Sequence, residues 1–224
     1  MYPEFTNELI YMIVLLLWVI LVVLFVSKKC YEIVARRYGH KSGVYFARKV
    51  IHALTGGAVA LTLPYLFKTP ILPSLASFSL ALFTYLPHKR KKLMNWFQLE
   101  ENMYEVNFCI VWGIVVILSW FIDKTFWLGI LPLAFMSFGD GITGIVRNFV
   151  YKKRTKAWLG NLAMALFCVP VGFLTKGVPG ALAGLVASVI EHYEFIDDNI
   201  SVPMSAFLVL LLSHLFLGQP ITSL

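Results

Sequence analysis

Long apolar runs, separated by short clusters of charged residues, make up most of the chain. A helix needs about 20 predominantly apolar residues to cross the hydrocarbon core of a bilayer, and most of these runs approach that length. The runs lie at about 9–26, 50–67, 71–86, 106–122, 126–146, 158–174, 178–190 and 202–217. The pattern therefore predicts an all-α, polytopic membrane bundle of about eight transmembrane helices, in a single domain over residues 1–224.

Composition excludes an ordinary soluble enzyme. Hydrophobic residues make up 59% of the chain and charged residues 14%, whereas a soluble domain has about 45–50% and about 25%. Spans of about 20 residues leave room only for short loops, so any chemistry must be built from helix ends and loops at the membrane surface. Cys30, Cys109 and Cys168 have no C-x-x-C spacing, which indicates neither a disulfide framework nor a zinc site.

The formal net charge of +7 is a signal of membrane topology. Basic residues concentrate in cytoplasmic loops, and here they cluster between the apolar runs. If both termini are extracytoplasmic, all of the 19 Lys and Arg residues except Lys68, Lys124 and Lys176 face the cytoplasm. We therefore expect an integral protein of the cell membrane, or of the ER membrane in a eukaryote, with no nucleic-acid partner.

Asp140 lies inside the fifth apolar run, between Gly139 and Gly141. An ionisable residue at membrane depth is costly and marks a functional site by default. The two glycines predict a helix break, at which free N–H groups would point towards an anion. A basic loop suited to a polyphosphate follows, with Arg147, Lys152, Lys153, Arg154 and Lys156. The alternatives are that Asp140 reaches out to the interface and that the loop only sets the topology.

Acidic residues gather on the side of the membrane where basic residues are expected. Gly180 and Gly184 share a helix face with Glu191, and such small residues let helices pack closely. Glu191 is therefore predicted to point into the bundle. Asp197, Asp198 and Asn199 follow before the last run. Oxygen ligands of this kind suit Mg²⁺, and the alternative is a solvated turn at the interface.

A basic motif, Arg48-Lys49-x-x-His52, opens the second apolar run. Arg48 and His52 are four residues apart and share a helix face. A histidine here suits phosphate binding or proton transfer near neutral pH, and a structural role is the alternative. In the predicted topology this motif meets the other three polar groups at the cytoplasmic face.

Taken in order, these motifs resemble the CTP-dependent polyprenol kinase family, which includes dolichol kinase and phytol kinase and is akin to phosphatidate cytidylyltransferases. The resemblance covers about residues 45–217. The residues that carry it are Arg48-Lys49-x-x-His52, Ser137 to Gly144, Lys153 to Lys156, Gly160 to Met164, Glu191, and Asp198-Asn199-x-x-Val202-Pro203.

The resemblance implies transfer of the γ-phosphate of CTP to the hydroxyl of a polyprenol or dolichol-type alcohol at the cytoplasmic face. The implied catalytic residues are Asp140, Glu191 and Asp198, with Glu191 as acceptor of the alcohol proton. Mg²⁺ is expected on Asp140, Asp197 and Asp198. The nucleotide is expected on Arg48, Lys49, His52, Gly139, Gly141, Arg147, Lys153, Arg154, Lys156 and Asn199.

Other functions remain open on the sequence. A phytol or geranylgeraniol kinase would share the reaction and differ in chain length, and a CTP-dependent lipid cytidylyltransferase would release pyrophosphate. A CDP-alcohol phosphotransferase needs further aspartates after Asp140-Gly141, and 142–160 contains none. An anionic-solute transporter, with Asp140 and Glu191 as coupling sites, would show broken helices in two related halves. Only one break is predicted.

Overall fold

The computed structural model describes residues 3–151, 155–193 and 196–217, which are almost entirely helical. The helices in these ranges are α1 (Pro3–Leu21), α2 (Ser27–Tyr38), α3 (His40–Ile51), α4 (Ala58–Leu66), α5 (Ile71–Lys89), α6 (Tyr104–Asp123), α7 (Trp127–Ala134), α8 (Asp140–Tyr151), α9 (Trp158–Ile190) and α10 (Asp198–Leu217). Three π-helical turns lie between them, at Val22–Val26, His52–Gly57 and Phe135–Gly139. These ranges contain no β-strand beyond one isolated bridge, so the all-α prediction is confirmed.

Six helical stretches among the described residues are long and apolar enough to cross a membrane. They are Phe5–Tyr38, Ile71–Lys89, Tyr104–Asp123, Trp127–Tyr151, Trp158–Ile190 and Asp198–Phe216. The chain is therefore a multi-pass membrane protein. The predicted run at 50–67 is not among the six, and the runs at 158–174 and 178–190 both lie in α9. The count of eight crossings and the extracytoplasmic termini remain predictions.

Helix α9 reverses direction at Gly177. This residue has a φ of 60°, in the left-handed region that glycine enters without steric cost. The two halves then pack closely, since a Cβ at Gly184 would lie 2.5 Å from the carbonyl oxygen of Cys168. Near the ends of α9, the Asn161 side chain donates a hydrogen bond to the Ser188 carbonyl at 2.7 Å. The reversal therefore brings both ends of α9 to the same place in the bundle.

The core of the bundle lies between α4, α6, α7, α9 and α10. Its large apolar side chains, such as Leu133, Phe135 and Met164, are almost completely buried. On α1, by contrast, apolar side chains such as Ile13 and Leu17 are exposed, as contact with lipid requires. Because lipid tails are as apolar as these side chains, close packing between helices has to hold such a bundle together.

The predicted helix break at Asp140 is wrong. A continuous helical stretch runs from Trp127 to Tyr151, and the Asp140 N–H donates to the Phe135 carbonyl through the π-helical turn. A π turn inserts one extra residue and keeps the backbone hydrogen-bonded, so no free N–H groups face an anion here. Gly139 instead serves helix packing, because a Cβ there would lie 2.7 Å from the sulfur of Cys168.

Candidate active site

A polar cleft with a cavity volume of about 330 Å³ opens where α3, α8, α10 and the turn after α9 meet. Of the residues predicted for the site, all line this cleft except Gly139 and Gly141, and except Lys153 and Arg154, which lie outside the described residues. Arg48, Lys49 and His52 come from the α3 region, Asp140 and Arg147 from α8, Lys156 from the loop before α9, and Glu191, Asp197, Asp198 and Asn199 from the α9–α10 connection and the start of α10. The fold thus joins distant parts of the chain.

Three carboxylates face one another in the cleft. Asp140, Glu191 and Asp198 each offer an oxygen, and these oxygens all lie within 4.8 Å of one another. Asp140 and Glu191 are buried, and Asp198 is partly exposed to the cleft. Mg²⁺ is bound in proteins through carboxylate oxygens together with water and substrate phosphates, so this donor set fits a divalent cation.

Lys49 neutralises Asp140. Its ammonium group donates a hydrogen bond to Asp140 Oδ2, and both side chains are largely buried. Burial by itself lowers the pKa of Lys49, but the charge of Asp140, with smaller contributions from Tyr45 and Asp198, outweighs burial and raises it. The ammonium group therefore stays protonated through the neutral range and keeps a positive charge in the cleft.

Glu191 lies at the centre of a buried network of ion pairs and hydrogen bonds. Arg147 donates to both of its oxygens, at 2.8 and 2.9 Å. Lys156 donates to Oε1 at 2.9 Å, and the Asn161 amide donates to Oε2 at 2.9 Å. Each oxygen already accepts two hydrogen bonds, so this carboxylate is better suited to hold Arg147 and Lys156 in place than to accept the proton of an alcohol.

Lys156 connects the network to Asp198. Its ammonium group lies 3.0 Å from Asp198 Oδ2 and also donates to the backbone carbonyl of Glu191 at 2.9 Å. Burial lowers the pKa of Lys156, and the charges of Asp198 and Glu191 outweigh this effect and raise it. A second protonated lysine therefore contacts the group of carboxylates.

Asp197 lies outside the group of three carboxylates. One oxygen accepts from the Asn107 amide at 2.6 Å, and the other accepts from the backbone N–H of Asn199 at 3.0 Å. This geometry caps the first turn of α10. Asn199 itself is buried at the cleft, and its Oδ1 has no hydrogen-bond partner among the described residues, so this oxygen is available to a ligand.

Arg48 joins the cleft to the loop that connects α5 and α6. Its Nε donates to the Phe97 carbonyl at 2.6 Å, and its guanidinium lies 3.4 Å from Glu105. Glu105 also accepts from Gln98 at 2.9 Å and pairs with His88 at 2.6 Å. Arg48 therefore orders the loop that forms one wall of the cleft.

Several residues in and around the cleft were not predicted from the sequence. Glu105 lies directly before the fourth apolar run, and its burial in the fold sets it apart from other charged residues at the ends of runs. Tyr45 precedes Lys49 by four residues and so shares its helix face, and its ring lies 5.1 Å from the Lys49 ammonium. The sequence marked Asn161 only as a member of the motif from Gly160 to Met164 and did not predict its contact with Glu191.

Gly160 leaves the space that the Arg147 side chain occupies. A Cβ at this position would overlap the Arg147 side chain, with Cγ at 2.7 Å and Cδ at 2.8 Å. Arg147 Nε donates to the Ala157 carbonyl at 3.0 Å just beyond. The side chain therefore crosses the first turn of α9 at its only point without a Cβ, which explains a glycine in this motif.

Replacing Gly160 by alanine is expected to destabilise the protein by about 1–3 kcal/mol, because an added methyl group would push Arg147 away from Glu191. Thermal unfolding in detergent measures the change. Gly141→Ala is the matched control, since a Cβ there meets nothing within 4 Å. Equal stability of the two variants would contradict the packing role of Gly160.

Buried carboxylates and cations beside a cleft, within a bundle of apolar helices, define a membrane protein with a charged polar cleft. The chain is 28% identical over 213 residues to "Probable phytol kinase, chloroplastic" of Zea mays, covering 80% of this chain and 69% of that protein. It is 29% identical over 206 residues to "Probable phytol kinase 2, chloroplastic" of Glycine max, covering 80% and 68%.

These similarities confirm the resemblance to the polyprenol and phytol kinase family. The relation to cytidylyltransferases stays a prediction. No family model matches the chain, and no solved structure matches it.

Proposed function

We propose that this protein is a membrane kinase that transfers the γ-phosphate of CTP to an isoprenoid alcohol, of the phytol or the polyprenol and dolichol type, at the cytoplasmic face. The carrying observation is the group of Asp140, Glu191 and Asp198 with paired cations in one cleft. The names of the two plant relatives support an isoprenoid alcohol as acceptor. CTP as donor rests on the motif resemblance.

The paired charges suit a polyphosphate because they can exchange partners. Lys49 pairs with Asp140, and Lys156 pairs with Asp198. The phosphates of a nucleotide would replace the carboxylates as partners of the two lysines, and every charge would keep an opposite partner. Asp140 and Asp198 would then hold Mg²⁺, which when bound neutralises charge on the phosphoryl group.

Other residues of the cleft position charged groups and take no part in making or breaking bonds. Arg147 and Glu191 remain paired and hold Lys156 against the α9–α10 connection. Asn199 Oδ1, which has no partner among the residues that the structure describes, would accept a hydrogen bond from the nucleotide. Phosphoryl transfer needs little covalent help from a protein, so a preorganised array of charges is sufficient machinery.

Incubation of purified protein with γ-labelled CTP and a panel of isoprenoid alcohols tests the proposal. Label on the lipid, with release of CDP, is the expected result. The chain length that gives the highest kcat/KM separates phytol or geranylgeraniol from long polyprenols. Release of pyrophosphate would instead indicate a cytidylyltransferase, and absence of turnover with every alcohol would favour an anionic-solute transporter.

Removal of divalent metal is expected to abolish turnover, and Mg²⁺ is expected to restore it. Asp198→Asn should raise the Mg²⁺ concentration for half-maximal activity at least about tenfold, since a ligand loses its charge. Asp197→Asn is the matched comparison, because its oxygens serve Asn107 and Asn199. A larger shift in Asp197→Asn would instead support the ligand set expected from the sequence.

A further inference from the structure

A second cavity, of about 160 Å³, lies beside the polar cleft and is lined by α1, α4, α5 and α6. Its walls are side chains such as Leu16, Leu80 and Phe108. The hydroxyl groups in its lining are already engaged: Thr55 donates to the Ile51 carbonyl at 2.8 Å, and other lining hydroxyls likewise donate to backbone carbonyls. The cavity, called here the apolar groove, therefore offers an apolar surface to a ligand.

His52 is the residue that the apolar groove and the polar cleft share. It is 4% exposed, and its ring stacks on Phe108 with centroids 3.9 Å apart. Its Nδ1 is buried and has no hydrogen-bond partner among the described residues. An unsatisfied buried polar atom is costly, and such atoms are rare in native structures.

The position of this atom points to a ligand with one polar end. Of the buried side-chain atoms without a partner in the described part of the chain, only Nδ1 of His52 belongs to a residue of the apolar groove. The carboxylate that lines the groove, Glu105, is already engaged with Arg48, Gln98 and His88, so a charged headgroup would be costly to bury there. A long apolar chain that ends in one hydroxyl can pack against the apolar walls and form a hydrogen bond with Nδ1 of His52.

We propose that the apolar groove holds the prenyl chain of the alcohol acceptor, and that the His52 imidazole hydrogen-bonds its hydroxyl at the entrance to the polar cleft. This assignment rests on the kinase function proposed above. It places the hydroxyl between the lipid phase and the carboxylates, where the phosphoryl donor is expected. In this proposal His52 binds the alcohol acceptor, whereas the sequence motif predicted that it binds the nucleotide.

A tryptophan in the apolar groove should exclude the long chain. Leu80→Trp is expected to raise KM for a long-chain isoprenoid alcohol at least about tenfold. KM for CTP and kcat/KM for a short, water-soluble prenyl alcohol should stay near wild type. Leu82→Trp is the matched control, because Leu82 is on the same helix, is 58% exposed and does not line the groove. Unchanged KM for the long alcohol in folded Leu80→Trp would overturn the assignment.

The role of the imidazole is tested by His52→Phe and His52→Gln. Phenylalanine keeps the stacking on Phe108 and loses the hydrogen bond, so KM for the alcohol should rise at least about tenfold. Glutamine can still bond the hydroxyl and should recover part of that loss. A rise in KM for CTP without one for the alcohol would show that His52 serves the nucleotide, and would overturn the assignment.

A binding experiment separates failure of this inference from failure of the kinase function. An isoprenoid alcohol with a photoreactive diazirine in its tail is irradiated with wild-type protein in the absence of nucleotide. Labelled peptides are expected from α1 and α5, and competition by untagged alcohol should remove the label. Labelling only of residues that do not line the apolar groove would overturn the groove even in an active kinase. Labelling of α1 and α5 without turnover would support the groove as the lipid-binding site and contradict the proposed kinase function.

Discussion

Asp140→Asn is expected to lower kcat for alcohol phosphorylation by about 10³-fold while leaving the protein folded in membranes. The carboxylate pairs with Lys49 and lies close to Asp198, with which it is proposed to hold Mg²⁺. An amide keeps the shape and can still accept the lysine hydrogen bond, but it carries no charge. Loss of one preorganised charge interaction in a buried site costs about 10²–10³ in rate, and here a metal ligand is lost as well.

The measurement is initial rate at saturating CTP and alcohol, with elution volume and thermal unfolding in detergent as checks on folding. Glu100→Gln is a suitable control, because it makes the same carboxylate-to-amide change on an exposed side chain outside the cleft. Its rate should match wild type. Full activity of folded Asp140→Asn would refute the proposed active site.

Arg147→Leu is expected to be the most destabilising single change, by about 3–5 kcal/mol. Removing one partner of a buried ion pair leaves the other charge uncompensated, and Glu191 would lose two hydrogen bonds at 2.8 and 2.9 Å. Lys156 and Asn161 would still bond Glu191, so the protein should fold at low temperature and unfold earlier on heating.

The free energy of unfolding in mixed detergent micelles measures this effect. Arg36→Leu makes the same substitution at an exposed position on α2, where about 0.5 kcal/mol or less is expected. A loss below about 1 kcal/mol in Arg147→Leu would mean that the network around Glu191 does not hold α8 and α9 together. Activity should fall together with stability, because Lys156 is positioned by the same carboxylate.

The two variants probe different properties of one array of charges. Asp140 and Lys49 face the cleft and can exchange partners with a ligand. Arg147 and Glu191 are fully engaged with each other and with Asn161. We therefore expect Asp140→Asn to change the rate more than stability, and Arg147→Leu to change both. Phosphoryl transfer needs this division, since charges must be both available and fixed in place.

Much of the site was readable from local sequence, for particular reasons. Asp140 stood out because a carboxylate within an apolar run is costly. Glu191 stood out because its helix face carries Gly180 and Gly184. Both lie in the cleft with the basic residues, as expected from the motif order. Hydropathy, residue spacing and motif order are properties of the chain itself, so they predicted an all-α membrane bundle and the approximate membership of its polar site.

The roles within the site depended on tertiary contacts. Asp197 and Asp198 are neighbours in sequence, yet one caps α10 and the other joins the carboxylate group. Local pattern cannot separate them, because the choice depends on where Asn107 and Lys156 lie in space.

The π turn before Asp140 and the place of His52 were also decided by packing. The turn preserves a continuous helix where α9 closes on Gly139. His52 lines the apolar groove beside Phe108 of α6, whose ring stacks on the imidazole. The sequence by itself determined the all-α class and the apolar runs from which the long helices form, since hydropathy and periodicity are local properties. Only the tertiary structure decided which charge each residue meets, because those partners come from distant segments that packing brings together.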